Sequence, residues 1–314
     1  MLTQARLAIR LNRFALFVVG AIVIVASLAA LIVAAALRAA ATPECLASRW
    51  DSSATAACQA QLTNFDHIDG TWGGPLAGVL GGIAPIGGLL VGVSLVAREI
   101  EERTAAIAWS LAPSRTRWLV GRVAPVAVIL LVLFAIAAIA ATDLEGAANP
   151  SVNPLLSFYG ESSRGLELVA LGFMVFCAAV LVGSILGRVL PALLVAAVLG
   201  LALTVGAFVA ESNWIQTQAV MVDARDGSNA DGSLVLDQLL RLPSGELVPT
   251  WSVQWDEDAN GNFIGPLAGA TLENKVVPGS RHPFVEAVDA AGITAVSAVL
   301  LVLTGIVVRR RRPT

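Results

Sequence analysis

The sequence predicts an all-α membrane protein with six transmembrane helices, both termini cytoplasmic and a large extracytoplasmic loop before the last span. Of its 314 residues, 56% are hydrophobic and only 14% are charged, whereas soluble domains carry roughly a quarter charged residues. Six apolar stretches reach the length of about twenty residues that crosses the hydrocarbon core as a helix. Basic residues gather at alternate ends of these stretches, which predicts how they are oriented.

The six spans are expected to form one transmembrane domain, 14–308. The fourth and fifth spans nearly touch around Gly187, which predicts a tight helical hairpin. The first apolar run is too long for the h-region of a signal peptide, so we expect it to stay as a span. The predicted spans are 14–37, 75–97, 123–142, 168–187, 189–210 and 290–308.

Arginine placement predicts that both termini face the cytoplasm, because short cytoplasmic segments carry an excess of basic residues. The inner segments are then an N-terminal interfacial helix, 1–13, the connection 98–117 between the second and third spans, and a tail, 309–314. Acidic residues in these segments are confined to the connection and are Glu99, Glu101 and Glu102.

The predicted extracytoplasmic segments are 38–74, 143–167 and the largest, 211–289. They are rich in Gly, Pro, Asn, Asp and Ser, as water-exposed loops are. Cys45 and Cys58 both lie in the first of them. Because that segment is on the oxidising side of the membrane, these two cysteines predict a disulfide.

The run DEDANG, which begins at Asp256, matches the first half of a calcium-binding loop. The twelfth position of such a loop is a bidentate glutamate, and here it is Leu267. We therefore favour a β-hairpin, with strands at 251–255 and 262–264 around an Asn-Gly turn. No metal site is expected in this chain.

The cores of the spans lack ionisable groups, which argues against a proton antiporter, although backbone carbonyls could still hold a sodium ion. These cores hold no Asp, Glu, Lys, Arg or His, whereas proton-driven carriers keep an ionisable group at mid-membrane depth. The single lysine, Lys275, lies in ENKVV and not in a Gly-rich loop that binds nucleotide phosphates. We expect no cofactor and no enzymatic activity in this chain, and if it moves a substrate uphill, the energy would come from another subunit.

The second span is rich in glycine at a spacing that lets another helix approach closely. The partner helix is either a neighbouring span or a second subunit, and both readings stay open. Pro85 is expected to kink this span. The glycines expected to pack are Gly74, Gly78, Gly82, Gly88 and Gly92.

The connection 98–117 has the pattern of a short amphipathic helix, in which Glu99 and Arg103 are spaced to form an i,i+4 ion pair. A solvated loop with snorkelling arginines is the alternative, but it does not explain why three glutamates cluster here. Basic and aromatic residues follow where the third span enters the lipid headgroups, a usual place for membrane anchors. The expected anchors, including those of the N-terminal helix, are Arg6, Arg10, Arg13, Arg115, Trp118 and Arg122.

This connection resembles the permease subunits of type-2 ABC exporters, and so does the whole architecture. Members of that family show an Arg-Glu-x-Glu-x-Gly-Thr run, then Leu-Ala-Trp, then Ser-Arg-x-x-Trp and a Gly-Lys pair. The corresponding runs begin here at Arg98, Ile107, Ser114 and Gly121. Two positions depart from the pattern, because Arg103 replaces the glycine and Arg122 replaces the lysine. The first departure suggests a continuous helix in place of a tight backbone turn.

The resemblance implies a permease subunit of an ATP-driven exporter in a bacterial plasma membrane, which moves amphipathic drugs, antibiotics, peptides or lipids outward. Its partners would be membrane lipids, a second permease copy in a homodimer or heterodimer, and an ABC ATPase subunit that carries ATP and Mg²⁺, with no nucleic acid. The residues implied to couple to the ATPase are Glu99, Glu101, Glu102, Arg103, Thr104, Ile107 and Trp109.

A different class of protein also fits these residues. In this alternative the chain is a membrane receptor or assembly factor, whose outer loops bind a ligand and whose cytoplasmic helix docks a signalling partner.

Overall fold

The computed structural model describes residues 2–49, 55–104, 114–224, 232–252, 255–257, 263–266 and 270–311. Helix is the main element in these residues, as expected for spans whose backbone polar groups have no water to bind in the bilayer. The α-helices in the described part of the chain are α1 (Leu2–Leu11), α2 (Arg13–Ala40), α3 (Pro43–Ala47), α4 (Ala56–Ile68), α5 (Gly74–Glu101), α6 (Arg115–Ala148), α7 (Gly165–Leu186), α8 (Val189–Ile215) and α9 (His282–Arg310).

Six helical stretches among the described residues are long and apolar enough to cross a membrane, which agrees with the six predicted spans. They are α2, the continuous run of α4 and α5, and each of α6, α7, α8 and α9. A π-helical turn, Asp69–Gly73, joins α4 to α5. The predicted hairpin between the fourth and fifth spans is present, since Gly187 follows α7 in the left-handed conformation with φ 64° and α8 begins at Val189.

A small amount of β-structure corrects the prediction of an all-α protein. Four strands form an antiparallel sheet in the order β1-β6-β2-β3, and β4 pairs with β5 separately. The sequence pattern did not predict the larger sheet because two of its three pairings are long-range. Val220 of β1 lies opposite Val276 of β6, and Leu234 of β2 lies opposite Val277. The strands are β1 (Val220–Asp223), β2 (Leu234–Arg241), β3 (Leu247–Pro249), β4 (Trp255–Glu257), β5 (Phe263–Pro266) and β6 (Thr271–Val277).

The predicted hairpin corresponds to β4 and β5, with Trp255 opposite Pro266. The first of these strands starts later than predicted, because Thr250–Ser252 forms a 3-10 turn in place of an extended strand. The turn at 258–262 and the position of Leu267 lie outside the described residues.

Contacts divide the chain into two compact units. The membrane unit comprises residues 1–148, 160–209 and 286–314, and the sheet unit comprises 149–159 and 210–285. In the sheet unit, Phe158, Ile215, Val277 and Val285 form a small buried core. The ring of Phe158 also meets the ring of His282 edge-on, with 5.1 Å between their centroids.

Helix α7 is the most enclosed span of the membrane unit. Its most apolar stretch is 83% buried, compared with 50% for the run of α4 and α5 and 17% for α8. Phe176 and Cys177 of α7 are completely buried, as is Phe134 of α6. Helices α5 and α6 pack directly against α7, and α2 packs in turn against α6 and α5.

Glycines allow α5 and α7 to approach until their backbones touch. A Cβ on Gly92 would lie 2.7 Å from the carbonyl oxygen of Phe176, and one on Gly88 would overlap the carbonyl oxygen of Gly172. Contacts this short are not available to any residue with a side chain, so both positions require glycine.

The predicted packing glycines divide into two groups. Gly88 and Gly92 lie against α7. In contrast, a Cβ on Gly78 would have nothing within 4 Å. A Cβ on Gly74 or Gly82 would contact only atoms of the same helical run, at 3.9–4.0 Å. The regular Gly74, Gly78 and Gly82 spacing thus does not pack against another described span of this chain, because that face of the helix points away from α7.

The predicted disulfide is present between Cys45 of α3 and Cys58 of α4. Each of these helices has a threonine N-cap, and the Thr42 and Thr55 hydroxyls accept the N–H of Cys45 and Cys58, respectively. The caps fix both cysteines in the first turn of a helix, which places them within bonding distance.

We expect Gly92→Ala to destabilise the protein by about 1–3 kcal/mol, because its methyl group would overlap the α7 backbone. Gly206→Ala of α8 is the matched control, because a Cβ on Gly206 would have nothing within 4 Å, and it should be neutral or stabilising by up to about 1 kcal/mol, since alanine favours helix. Thermal unfolding of the purified variants in detergent measures the difference. Equal changes in midpoint for the two variants would contradict the α5–α7 packing described above.

Candidate functional site

Most of the segments predicted to be cytoplasmic meet at one end of the membrane unit. Here, at what we name the basic end, α5, α7 and α9 end and α6 and α8 begin. The Arg115 guanidinium donates to the carbonyl oxygens of Arg309, at 3.1 Å, and of Arg311. The Arg311 guanidinium in turn donates to the carbonyl oxygens of Ser184 and Ile185. The last turn of α7, the start of α6 and the chain end beyond α9 are therefore bonded together.

Helix α5 ends at this basic end with a left-handed residue, Arg103, whose φ is 59°. The N–H of Glu102 donates to the Arg98 carbonyl at 2.9 Å, and the N–H of Arg103 donates to the Ile100 carbonyl at 3.1 Å. Such a cap normally carries glycine, because a Cβ disfavours positive φ. The expectation of a continuous helix through Arg103 is wrong, and the tight turn forms with arginine in the glycine position.

The side chain of Thr104 completes this cap. Its hydroxyl donates to the carbonyl oxygen of Glu99 at 3.1 Å, which satisfies one of the carbonyls that a helix end leaves without an intrahelical partner. Residues 105–113, which include Ile107 and Trp109, lie outside the described residues.

A buried ion pair joins the end of α5 to the start of α6. The Nη2 atom of Arg122 lies 3.0 Å from the Oε1 atom of Glu99, and the two side chains are only 9% and 12% exposed. Glu99 was predicted to face a partner protein and Arg122 to anchor in the headgroups. They face each other instead, because α5 packs directly against α6.

The other two glutamates also have partners within the chain. Glu101 accepts the N–H of Val189 at 2.9 Å, which connects α5 to the start of α8. Glu102 pairs with Arg98 at 2.8 Å, one helical turn back. This pair replaces the predicted i,i+4 pair of Glu99 and Arg103, since Glu99 turns toward α6. The backbone carrying Glu101, Glu102, Arg103 and Thr104 stays at the surface, and all four residues are exposed.

The N-terminal helix α1 lies at the same end. Its Ala8 is buried, whereas Leu7 and Leu11 are about half exposed, and Arg6, Arg10 and Arg13 are exposed. Asn12 separates α1 from α2 and accepts a hydrogen bond from Ser94 of α5 at 3.4 Å. A helix with one buried face and exposed leucines and arginines fits the predicted interfacial position.

Trp118 differs from its predicted role as a membrane anchor. It is only 4% exposed, so its ring packs inside the membrane unit and not among headgroups. Both Trp118 and Arg122 lie on the face of α6 that points into the helix bundle, whereas Arg117 is exposed. The sequence pattern placed Trp118 and Arg122 at the interface because the sequence does not show which face of α6 is buried.

These contacts link the ends of several spans at the basic end. Glu99 connects α5 to α6, Glu101 connects α5 to α8, and Arg311 connects the chain end to α7. Since the residues from 101 to 104 are exposed at the centre of these links, a force applied there acts on several spans together.

Arg103→Gly should stabilise the end of α5 relative to Arg103→Ala by about 1 kcal/mol, because only the alanine keeps a Cβ in the left-handed conformation. Both variants remove the arginine charge, so their difference reports the backbone alone. Hydrogen exchange of the amides at residues 100–104 should be about fivefold slower in the glycine variant. The same exchange rate in both would show that this residue is not held at positive φ.

Arg122→Gln should destabilise the protein by about 3 kcal/mol, since it leaves the Glu99 carboxylate buried without its partner. The double variant Glu99→Gln/Arg122→Gln removes both charges and should recover much of that loss. Thermal unfolding of the two single variants and the double variant gives the coupling free energy between the side chains. Additive effects would mean that the two residues do not interact.

Comparison with known protein families identifies the family of this chain. A family model described as ABC-2 membrane transporter related matches residues 15–211, a range that runs from α2 into α8 and includes the α5 end of the site. Neither the curated proteins nor the solved structures gave a match. The family match confirms the resemblance to ABC-2 permeases, and it implies an ABC ATPase partner in general terms. The chain therefore belongs to the family of ABC-2 membrane transporter related proteins, as a membrane permease of ABC-type transport.

Proposed function

We propose that this chain is the transmembrane permease subunit of an ATP-driven exporter in a bacterial plasma membrane. It moves amphipathic substrates outward, such as drugs, antibiotics, peptides or lipids, and a separate ATPase subunit binds ATP and Mg²⁺. Membership of the ABC-2 family supports the permease role. The absence of ionisable residues from the cores of the predicted spans supports an energy source outside the membrane.

The observation that carries the proposal is the buried pair of Glu99 and Arg122, 3.0 Å apart. A coupling element works only if movement at the surface is transmitted into the spans. With this pair intact, displacement of the exposed residues after Glu101 moves the ends of α5 and α6 as one. The ATPase accordingly docks on the segment 98–117, and Glu99 acts within the permease and not at the contact surface.

The contact surface itself consists of exposed residues at the end of α5, namely Glu101, Glu102, Arg103 and Thr104. Glu102 and Arg103 carry opposite charges at adjacent positions, which allows complementary charge pairing with a partner. The side chains of Ile107 and Trp109 are proposed to complete this surface.

A second permease copy is proposed to pack against the outer face of α5. Gly78 has open space beside it, and the neighbouring Trp72 and Val79 are 63% and 50% exposed. Small residues next to large apolar ones let a second helix approach closely in a membrane. The same surface serves in a homodimer or a heterodimer.

A receptor or assembly factor is the second candidate function. Trp251 of the sheet unit favours this function, because its side chain is 85% exposed. Aromatic residues are enriched at surfaces that bind a partner. An ATPase reading frame beside that of this chain supports the permease, whereas a histidine kinase there supports the receptor.

The docking test uses co-expression with the neighbouring ATPase and purification through a tag on the permease. Glu102→Lys/Arg103→Glu exchanges the two exposed charges without touching the Glu99–Arg122 pair. We expect the co-purified ATPase to fall about tenfold, the factor that 1.4 kcal/mol represents.

Glu44→Lys is the control, because Glu44 is an exposed glutamate of α3, in the segment predicted to be extracytoplasmic. This variant should retain the ATPase. An intact complex with unchanged ATP-dependent transport in Glu102→Lys/Arg103→Glu would rule out docking at the end of α5.

A further inference from the structure

A cavity of about 420 Å³ opens at the basic end of the membrane unit. Its walls come from the end of α1, the start of α2, the end of α5 and the start of α6. Unlike the spans, this cavity is lined by several charged side chains. It is large enough to hold a small polar group together with ordered water.

The cavity has an excess of positive charge. Four arginines and two glutamates line it. Both glutamates are already paired, Glu99 with Arg122 and Glu102 with Arg98. Arg10 and Arg13 form no ion pair with any other residue that the structure describes. Two uncompensated guanidinium groups therefore favour an anion in this space.

Arg122 supplies an independent indication of a ligand. Its side chain is nine-tenths buried, and its Nη2 atom bonds to Glu99, but its Nη1 atom has no hydrogen-bond partner within the described part of the chain. A buried guanidinium N–H without an acceptor is costly. Arg122 lines the cavity but Nη1 itself is buried, so a rotation of the guanidinium group would bring Nη1 to an anionic oxygen there.

One part of the cavity wall is apolar and exposed. Leu11 and Phe14 line it, and they are 50% and 78% exposed. Phe17, one turn further along α2, is 74% exposed. In a membrane protein, such exposed apolar side chains beside a span face the acyl chains of lipids. The occupant thus combines an anionic head with an apolar tail.

We propose that this cavity binds the phosphate headgroup of an anionic phospholipid. Arg10, Arg13 and Arg122 hold the phosphate oxygens, because guanidinium groups bind phosphate through paired, charge-assisted hydrogen bonds. An acyl chain lies along Phe14 and Phe17. A phospholipid with net negative charge is preferred over a zwitterionic one, since the lining has two positive charges to spare.

Lipid binding at this position is distinct from the transport function proposed above. It ties α1 to the ends of α5 and α6, and it requires neither the ATPase nor a transported substrate. A lipid bound here stabilises the contact between the ends of α5 and α6, which the Glu99–Arg122 pair also stabilises.

The test measures the thermal unfolding midpoint of the full chain in detergent during titration with dioleoyl phosphatidylglycerol, dioleoyl phosphatidylcholine or inorganic phosphate. Phosphatidylglycerol should raise the midpoint at concentrations where the other two do not. Arg10→Gln and Arg13→Gln should each weaken the apparent affinity for phosphatidylglycerol about tenfold, a loss of 1.4 kcal/mol.

Arg6→Gln is the matched control, because Arg6 is an exposed arginine of α1 that does not line the cavity. It should bind phosphatidylglycerol like the unmodified chain. The double variant Glu99→Gln/Arg122→Gln removes the buried guanidinium of Arg122 without leaving a buried charge. This variant should also bind phosphatidylglycerol more weakly than the unmodified chain.

Three results would overturn the proposal. Equal stabilisation by phosphatidylcholine would exclude a preference for anionic lipid. Equal stabilisation by inorganic phosphate would identify a soluble anion as the occupant. A loss of affinity for phosphatidylglycerol in Arg6→Gln as large as in Arg13→Gln would show that the lipid responds to the general positive charge of the surface and not to the cavity.

Discussion

The contact between α5 and α7 is the constraint on which the membrane unit depends. Helices in a bilayer gain little from burying apolar side chains against each other, since lipid tails are equally apolar, so close backbone approach becomes decisive. Gly88 and Gly92 permit that approach, with α7 backbone where a side chain would otherwise lie. Because α7 is the most enclosed span, fixing α5 against it also determines where α5 ends and which side chains face α6.

At that end, polar side chains bond to the backbone groups of several spans. Within a bilayer every backbone and charged group needs a partner in the protein, and here long side chains provide them. Arg311 satisfies the last carbonyls of α7, Arg115 satisfies those at the end of α9, and Glu101 accepts the first N–H of α8. The arginines that predict orientation in the sequence thus also hold the ends of the spans together, and the connection between α5 and α6 emerges from this bonded cluster.

The sequence predicted the features that depend on local composition and not those that depend on tertiary contacts. Span number and the Cys45–Cys58 disulfide follow from apolar length and from two cysteines in one loop, and both were correct. The antiparallel sheet was missed because β1 pairs with the distant β6. Glu99 was assigned to a partner protein because its position opposite Arg122 depends on the crossing of α5 and α6. At Arg103 the glycine of the family pattern indicates a tight turn, and the backbone does form this left-handed turn although the residue is arginine.

Arg122 belongs to both the proposed coupling segment and the proposed lipid site, because it pairs with Glu99 and also lines the cavity. Nη2 binds Glu99, and Nη1 is buried without a hydrogen-bond partner among the described residues. A lysine, which the family pattern has at this position, carries a single ammonium group and lacks the planar fork that can bind two different acceptors in fixed directions. The arginine in this chain therefore allows one side chain to hold the end of α5 and bind a lipid at the same time. Because the proposed lipid site and the link between α5 and α6 share this guanidinium, a bound lipid would act on the same helix ends that the Glu99–Arg122 pair joins.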